Sequence, residues 1–245
     1  MSVGKRIIEH RNDLDKLLIE ELKNCPSANV SDCMGRLYSM NAHIRPMGKT
    51  KKLIGQALTV KASIADNMLF HQALLMAQPG DVIVVDAGRD MNHSVCGEIM
   101  YSYAKSKNIA GFVVDGSVRD VDYLLNENFP VFAAGITGRG PYKNGPGEIN
   151  VDISCGGQVV HPGDIILGDE DGIVVIPRKE AHDILEKVKE LQANEIKSLN
   201  LIANGEWENG SIATKLKKQL KDEGYEFYKS QNGYQYAAGY SSDTH

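Results

Sequence analysis

An adjacent arginine and aspartate, together with a glutamate upstream, are the residues best suited to carry chemistry in this chain. Arg119 and Asp120 are separated from Glu98 by twenty residues. The guanidinium of Arg119 is a planar fork that matches a carboxylate. Asp120 offers hard oxygen ligands for Mg²⁺ or Mn²⁺, and Glu98 could hold a metal-bound water or relay a proton. These residues predict a pocket for a 2-oxo acid beside a divalent cation.

A strand–helix–strand pattern should bring the two ends of this motif together. The apolar runs 82–86 and 110–114 predict buried strands, and residues 97–107 have the spacing of an amphipathic helix. Such a unit has parallel strands and a right-handed crossover. The start of the helix and the Arg119-Asp120 pair then both follow the carboxyl ends of strands. They should therefore lie at one edge of the sheet, where open α/β folds bind their ligands.

The first turn of this helix is a predicted binding surface for the substrate. Its backbone N–H groups have no partner within the helix and can hold an anion. The residues concerned are Gly97, Glu98, Ile99 and Met100. An alternative reading from spacing alone is a surface ion pair between Arg119 and Asp120, with Glu98 merely favouring the helix N-terminus.

The rest of the chain predicts an α/β protein with a mixed sheet. Predicted helices cover 9–24, 68–77 and 178–204, and further predicted strands cover 53–64, 165–168 and 173–176. The glycine-rich segment 135–147 lacks the G-x-G-x-x-G pattern of a dinucleotide site and predicts a long loop beside the pocket.

Composition narrows the classes of partner. A chain of 245 residues with 42% hydrophobic residues can bury one good core. The net charge of −5 argues against a nucleic-acid surface. Four cysteines without C-x-x-C or zinc-site spacing predict reduced thiols in a cytoplasmic protein. No signal-peptide pattern or apolar run of membrane-spanning length is present, so no membrane association is expected.

Several segments, in order along the chain, resemble the RraA-like family. They are 30–35, 44–46, 55–60, 97–120, 129–132 and 162–177. The resemblance covers about residues 20–205 and is greatest to the 4-hydroxy-4-methyl-2-oxoglutarate aldolases of that family. That branch is marked by an acidic residue, twenty residues, and then Arg-Asp, whereas members that regulate RNase E without aldolase activity lack the full motif. This chain departs from the best-known aldolases by carrying Glu98 where they have Asp, which bears on rate and substrate preference.

The resemblance implies a swivelling β/β/α fold assembled as a homotrimer or a hexamer. It implies one catalytic domain over 1–205, and the remaining residues 206–245 are predicted to be a C-terminal extension that is partly helical or disordered. The implied activity is metal-dependent cleavage of 4-hydroxy-2-oxo acids to pyruvate, with oxaloacetate decarboxylation as a related activity. Asp120 would hold the metal and Arg119 the substrate. Glu195 matches the family's glutamate that reaches into the active site of an adjacent subunit.

A non-catalytic function is the alternative that the resemblance leaves open. Such a protein would bind and inhibit an RNA-processing nuclease through the surface of its ring. The Arg119-Asp120 pair weighs against this alternative, because a pure binding protein has no need of a metal ligand beside a carboxylate fork.

Overall fold

A mixed β-sheet forms the centre of the protein. The computed structural model describes residues 2–9 and 15–226. Within them, eight strands form the sheet: β1 (Arg45–Pro46), β2 (Leu53–Ala62), β3 (Asp81–Ser94), β4 (Gly111–Val118), β5 (Val131–Ile136), β6 (Gly147–Ile149), β9 (Ile165–Asp169) and β10 (Gly172–Ile176). Their order is β1-β5-β4-β3-β2-β9-β10, with β6 also paired to β2. Strands β7 (Ile153–Cys155) and β8 (Gln158–Val160) form a separate two-stranded sheet.

Several helices accompany these strands along the chain. They are α1 (Lys16–Leu22), α2 (Ser27–Cys33), α3 (Met68–Met76), α4 (Glu98–Ser106), α5 (Val121–Asn126), α6 (Ala181–Ala203) and α7 (Ser211–Asp222). Short 3-10 turns lie at Arg178–Glu180 and Trp207–Asn209. The predicted mixed α/β fold is confirmed.

Four neighbouring strands, β2 to β5, run parallel in the centre. Strand β4 is buried along its whole length, as expected where helices or loops cover both faces of a parallel strand. It extends beyond the predicted run 110–114, and β3 extends to Ser94 rather than ending at residue 86. The extra length of β3 pairs irregularly with β4, with register shifts on either side of Asp90. The sequence of this extra length of β3 is polar and has no strand pattern, so the predicted strand ended too early.

The core is divided among three clusters of buried side chains. One face of the sheet packs on α3, α4 and α5, for example through Phe70 and Tyr101. The other face packs beneath β7 and β8, and a third cluster joins α1, α2 and α6 to β9 and β10. The first cluster matters most for function, because α3 and α4 begin at the carboxyl edge of the parallel strands.

Two helix boundaries differ from the sequence-based prediction. Helix α1 begins at Lys16, where the Asp15 carboxylate caps it by accepting a hydrogen bond from the Leu18 N–H. Residues 10–14 of the predicted helix 9–24 lie outside the described residues. The predicted helix 178–204 is a 3-10 turn followed by α6.

The chain divides into two compact units. The first spans Met1–Leu191, and the second begins at Gln192. The domain boundary predicted between residues 205 and 206 stays a prediction, and residues 227–245 of the predicted extension lie outside the described residues. In the part of the chain that the structure describes, no helix is both long enough and apolar enough to cross a membrane.

Candidate active site

The start of α4 and the Arg119-Asp120 pair meet at one edge of the sheet. The Arg119 backbone N–H donates to the Cys96 carbonyl at 3.1 Å, and the Val95 N–H donates to the Ser117 carbonyl at 2.9 Å. These bonds join the segment leading into α4 to the end of β4. The proximity expected from the strand–helix–strand pattern is therefore present, while the chemical roles of the residues stay predictions.

Asp120 has an unusual backbone that directs its carboxylate to the helix. Its φ of 57° and ψ of 43° lie in the left-handed region, which costs a non-glycine residue roughly 1–2 kcal/mol. Its Oδ2 accepts a hydrogen bond from the Glu98 N–H at 2.9 Å and lies 3.5 Å from Nε of Arg119. A costly conformation that places charged groups together is a reason to suspect function.

Residue 97 must be a glycine, because a side chain at this position would have no room. A Cβ atom on Gly97 would lie 2.2 Å from Oδ2 of Asp120 and 3.0 Å from Nε of Arg119. Its φ of −160° is ordinary extended backbone, so the constraint is contact and not conformation. The helix can approach the pair this closely only because residue 97 has no side chain.

A cavity of about 280 Å³ opens at this edge. The predicted residues Gly97–Met100, Arg119 and Asp120 all line it. The same cavity is lined by Asn67 and His71 from the region of α3 and by Lys143 from the loop that precedes β6. Its size suits a small organic acid, being near the lower end of the usual range for ligand pockets.

Asn67 was missed by the sequence reasoning. Its side chain is 3% exposed, and its Nδ2 donates to the Val95 carbonyl at 2.9 Å. Among the described residues, its Oδ1 is a buried atom with no hydrogen-bond partner. A buried acceptor without a donor is unfavourable, so this oxygen is suited to receive a hydrogen bond from a bound molecule.

His71 and Lys143 add nitrogen groups to the same cavity and were also missed. Burial lowers the pKa of His71 below its ordinary value, and the nearby Lys143 ammonium lowers it further. The imidazole is therefore neutral at pH 7 and can both donate and accept a hydrogen bond. The sequence feature that could have identified these residues is the strand–helix junction from β2 to α3. It lies at the same edge of the sheet as the junction from β3 to α4.

Asp66 fixes the loop that carries Lys143. Its Oδ2 accepts from the backbone N–H groups of Asn144 and Gly145, and its Oδ1 accepts from the Met68 N–H at 2.9 Å. The Asn67 N–H also donates to the Tyr142 carbonyl at 3.0 Å. The glycine-rich loop predicted beside the pocket is therefore fastened to the start of α3.

The two predicted catalytic glutamates are placed differently. Glu98 has an exposed side chain and contributes its backbone N–H to Asp120. Glu195 has an exposed side chain on α6, within the second compact unit. The residues that line the cavity all come from the first unit.

Cys96, next to this site, is not suited to act as a nucleophile. Its side chain is buried, and burial raises the pKa of its thiol to about 12. The reactive thiolate is therefore negligible at neutral pH.

The groups around Asp120 fit a hard cation that retains water. In residues 2–9 and 15–226, no group of three or more His, Cys, Asp or Glu side chains could hold a metal ion. Mg²⁺, by contrast, is commonly held by one or two carboxylates with water and substrate oxygens completing its shell. Asp120 could supply one such carboxylate, and the exposed Glu98 could supply a second contact through water.

Comparisons with known proteins agree with the fold and identify the family. Residues 27–175 match the model of the RraA-like family, described as Aldolase/RraA. A relative from Halalkalibacterium halodurans, named "Putative 4-hydroxy-4-methyl-2-oxoglutarate aldolase", is 40% identical over 177 residues, which cover 72% of this chain and 84% of that protein.

Solved structures with the same fold include an RNA-processing inhibitor and a member of an RNase inhibitor family. Streptomyces coelicolor RraAS2, described as an unusual member of the RNase ES inhibitor RraA protein family, is 26% identical with a TM-score of 0.68, covering 77% of this chain and all of that one. The RNA-processing inhibitor RraA from Thermus thermophilus is 28% identical with a TM-score of 0.59, covering 63% and 93%. The predicted resemblance is confirmed: this chain belongs to the RraA-like family.

Proposed function

We propose that this protein is a metal-dependent lyase that cleaves a 4-hydroxy-2-oxo acid, such as 4-hydroxy-4-methyl-2-oxoglutarate, and releases pyruvate. The observation that carries the proposal is the convergence of Arg119, Asp120 and the first-turn amides of α4 on one small cavity. A carboxylate fork, the N–H groups of Gly97 and Ile99 and a hard oxygen ligand together suit an acid that bears a neighbouring carbonyl. The name of the relative from H. halodurans supports the same class of reaction.

Arg119 and the helix amides bind and orient the substrate in this proposal. The guanidinium grips the carboxylate of the oxo acid, and the amides of Gly97 and Ile99 hold its oxygens. The amides of Glu98 and Met100, which the sequence also predicted to bind substrate, donate instead to the Asp120 carboxylate and the Gly97 carbonyl. As the C3–C4 bond breaks, the hydroxyl at C4 loses its proton and becomes a carbonyl, while negative charge develops on the 2-oxo oxygen. The resulting enolate then gains a proton at C3 to become pyruvate. The Arg119 guanidinium, placed beforehand, stabilises that developing charge.

The residues that line the rest of the cavity handle the hydroxyl group and the protons. The unpartnered Oδ1 of Asn67 accepts a hydrogen bond from the C4 hydroxyl of the substrate. The neutral imidazole of His71 can take part in proton movement near pH 7. Glu98 orders water at the mouth of the cavity, and its extra methylene relative to Asp shifts the position of that water.

Asp120, with Glu98 through water, would hold Mg²⁺ or Mn²⁺. Such a cation would supply Lewis-acid stabilisation of the enolate charge. The same enolate arises when oxaloacetate loses CO₂, so oxaloacetate decarboxylation belongs to the proposal as a second activity.

The proposed enzyme works as a homotrimer or a hexamer, in which Glu195 of one subunit completes the cavity of the next. The resemblance to aldolases of the family is the support for this step. Glu195 would then position the water that protonates C3. A cytoplasmic location remains part of the same prediction.

The competing function is a non-catalytic regulator of an RNA-processing nuclease. The solved RNA-processing inhibitor from T. thermophilus and the S. coelicolor member of the RNase ES inhibitor RraA family favour it, because they share the fold. The cavity with its Arg119-Asp120 pair favours the enzyme instead, since a surface binder requires no such arrangement.

A pyruvate-release assay decides between them. The purified protein would be offered a panel of 4-hydroxy-2-oxo acids and oxaloacetate, with added Mg²⁺ and separately after chelation. Metal-dependent release of pyruvate from at least one member is expected. No release from any of them, together with inhibition of a purified nuclease, would favour the regulator.

A further inference from the structure

Tyr101 is a fully buried residue on α4, three positions after Glu98. Its ring lies among three other aromatic rings, with centroids 6.1 Å from Phe112, 6.0 Å from Tyr123 and 6.2 Å from Phe129. This packing fixes the ring, and therefore fixes where its hydroxyl group lies.

The hydroxyl of Tyr101 reaches the backbone of the candidate site. It donates a hydrogen bond to the Arg119 carbonyl at 2.8 Å, and the Cys96 thiol lies 3.8 Å from it as a weak donor. The backbone N–H of Arg119 itself donates a hydrogen bond to the Cys96 carbonyl. The backbone of Arg119 is thus held at both its N–H and its carbonyl by residues at the beginning of α4.

Holding the Arg119 carbonyl also orients Asp120. The peptide unit between the two residues is planar, so a fixed carbonyl oxygen fixes the direction of the Asp120 N–H and Cα. Asp120 then adopts its left-handed backbone and directs Oδ2 to the Glu98 N–H. Without this restraint, the residue would be freer to relax to a less costly conformation.

We propose that Tyr101 is a positioning residue, whose hydroxyl holds the Arg119–Asp120 peptide unit so that the guanidinium and the carboxylate converge at the cavity. The catalytic part of this inference rests on the proposed function. Burial raises the pKa of the Tyr101 hydroxyl far above its usual range, so it remains a donor at every working pH.

The test is Tyr101→Phe in the full-length chain, with Tyr103→Phe as the matched control. Phenylalanine keeps the ring packing and removes only the hydroxyl. Tyr103 lies on the same helix but is half-buried, with its ring beneath the Lys107 ammonium. Amide hydrogen exchange of Glu98 by NMR reports directly on the bond to Asp120, and kcat and KM for pyruvate release report on the reaction.

For Tyr101→Phe, we expect the Glu98 amide to exchange about tenfold faster and kcat to fall about tenfold, the usual effect of one lost hydrogen bond. KM should change less than kcat, and Tyr103→Phe should match the wild type in both measurements. A merely structural role would lower the melting temperature while leaving Glu98 exchange and kcat within twofold, which would overturn the inference.

Failure of the proposed function can be told apart from failure of this inference. If the wild-type protein releases no pyruvate, the proposed function is wrong, and Glu98 exchange still decides whether Tyr101 orients Asp120. If exchange rises in Tyr101→Phe while kcat is unchanged, the positioning has no catalytic effect and the inference is rejected.

Discussion

The backbone N–H of Glu98 and Oδ2 of Asp120 are 2.9 Å apart, joined by a hydrogen bond that spans 22 positions of the chain. The same oxygen lies 3.5 Å from Nε of Arg119. One carboxylate oxygen therefore meets both the start of a helix and a guanidinium. Changes to any of these three groups should alter the cavity in ways that can be measured.

Asp120→Asn should abolish most of the activity while keeping the fold. Asparagine preserves the shape and can still accept the hydrogen bond from Glu98, but it lacks the charge that retains a hard cation. We expect pyruvate release to fall at least roughly 100-fold, the scale of losing a main stabilising group. Steady-state kinetics and circular dichroism would check this. Full activity of the variant, or of chelated wild type, would exclude a metal at Asp120.

Arg119→Lys should lower kcat/KM by roughly two to three orders of magnitude. Lysine keeps the positive charge but cannot make two parallel hydrogen bonds to a carboxylate, and it loses the placed donor for the developing enolate charge. Steady-state kinetics over a range of substrate concentrations would measure the change. A change of less than about threefold would mean that Arg119 is only a surface partner of Asp120.

Gly97→Ala should lower kcat/KM, because it adds a single methyl group where the site has no room for one. The added Cβ would overlap Oδ2 of Asp120, so either the carboxylate or the helix must shift. We expect at least a roughly tenfold loss of kcat/KM, since small displacements of catalytic groups are costly. Gly138→Ala is the control, because a Cβ there meets no atom within 4 Å. Equal activity of both variants would contradict the close contact at Gly97.

Lys143→Met should raise the pKa of His71. Burial is the main cause of the lowered pKa and persists in the variant, so the pKa should rise towards 6.5 without reaching it. NMR titration of the His71 ring would measure this, and an unchanged pKa would place Lys143 too far away to act.

The lowered pKa of His71 also predicts how the stability of the protein depends on pH. Between the folded and unfolded pKa values of His71, the unfolded chain binds more protons than the folded protein. The contribution of His71 to the free energy of unfolding is therefore fully present above the ordinary histidine pKa. It is lost as the pH falls through the lower pKa of the folded state. The loss of stability on acidification should be smaller in Lys143→Met. Denaturant unfolding at several pH values would test the difference, and a larger loss in the variant would contradict it.

Glu195 should act in the cavity of a neighbouring subunit. Asp120→Ala and Glu195→Ala should each retain only a small residual activity alone, and co-assembly of the two should restore part of the activity. A mixed ring contains some cavities in which both residues are intact. Glu195→Ala should reduce kcat more than it changes KM, as expected of a group that acts through water. Mixed rings with no recovered activity would argue against a shared site.

The sequence by itself determined the meeting of α4 with Arg119-Asp120. The two strands of a strand–helix–strand unit run parallel, so both junctions must lie at the carboxyl edge of the sheet. The apolar runs of β3 and β4 and the helical spacing of α4 were enough to locate them. The family was also recognisable from the order of its motifs, and this extended the prediction to the whole fold.

Only the tertiary structure decided the remainder of the cavity. Asn67 and His71 lie there because β2 is the parallel neighbour of β3, and no local pattern encodes strand order. Lys143 lies there because the Asp66 carboxylate holds its loop, a contact between residues 78 positions apart in the chain. The hydroxyl of Tyr101 meets Arg119 through core packing. Local patterns specify elements and their ends, whereas contacts across the sequence depend on how those elements pack.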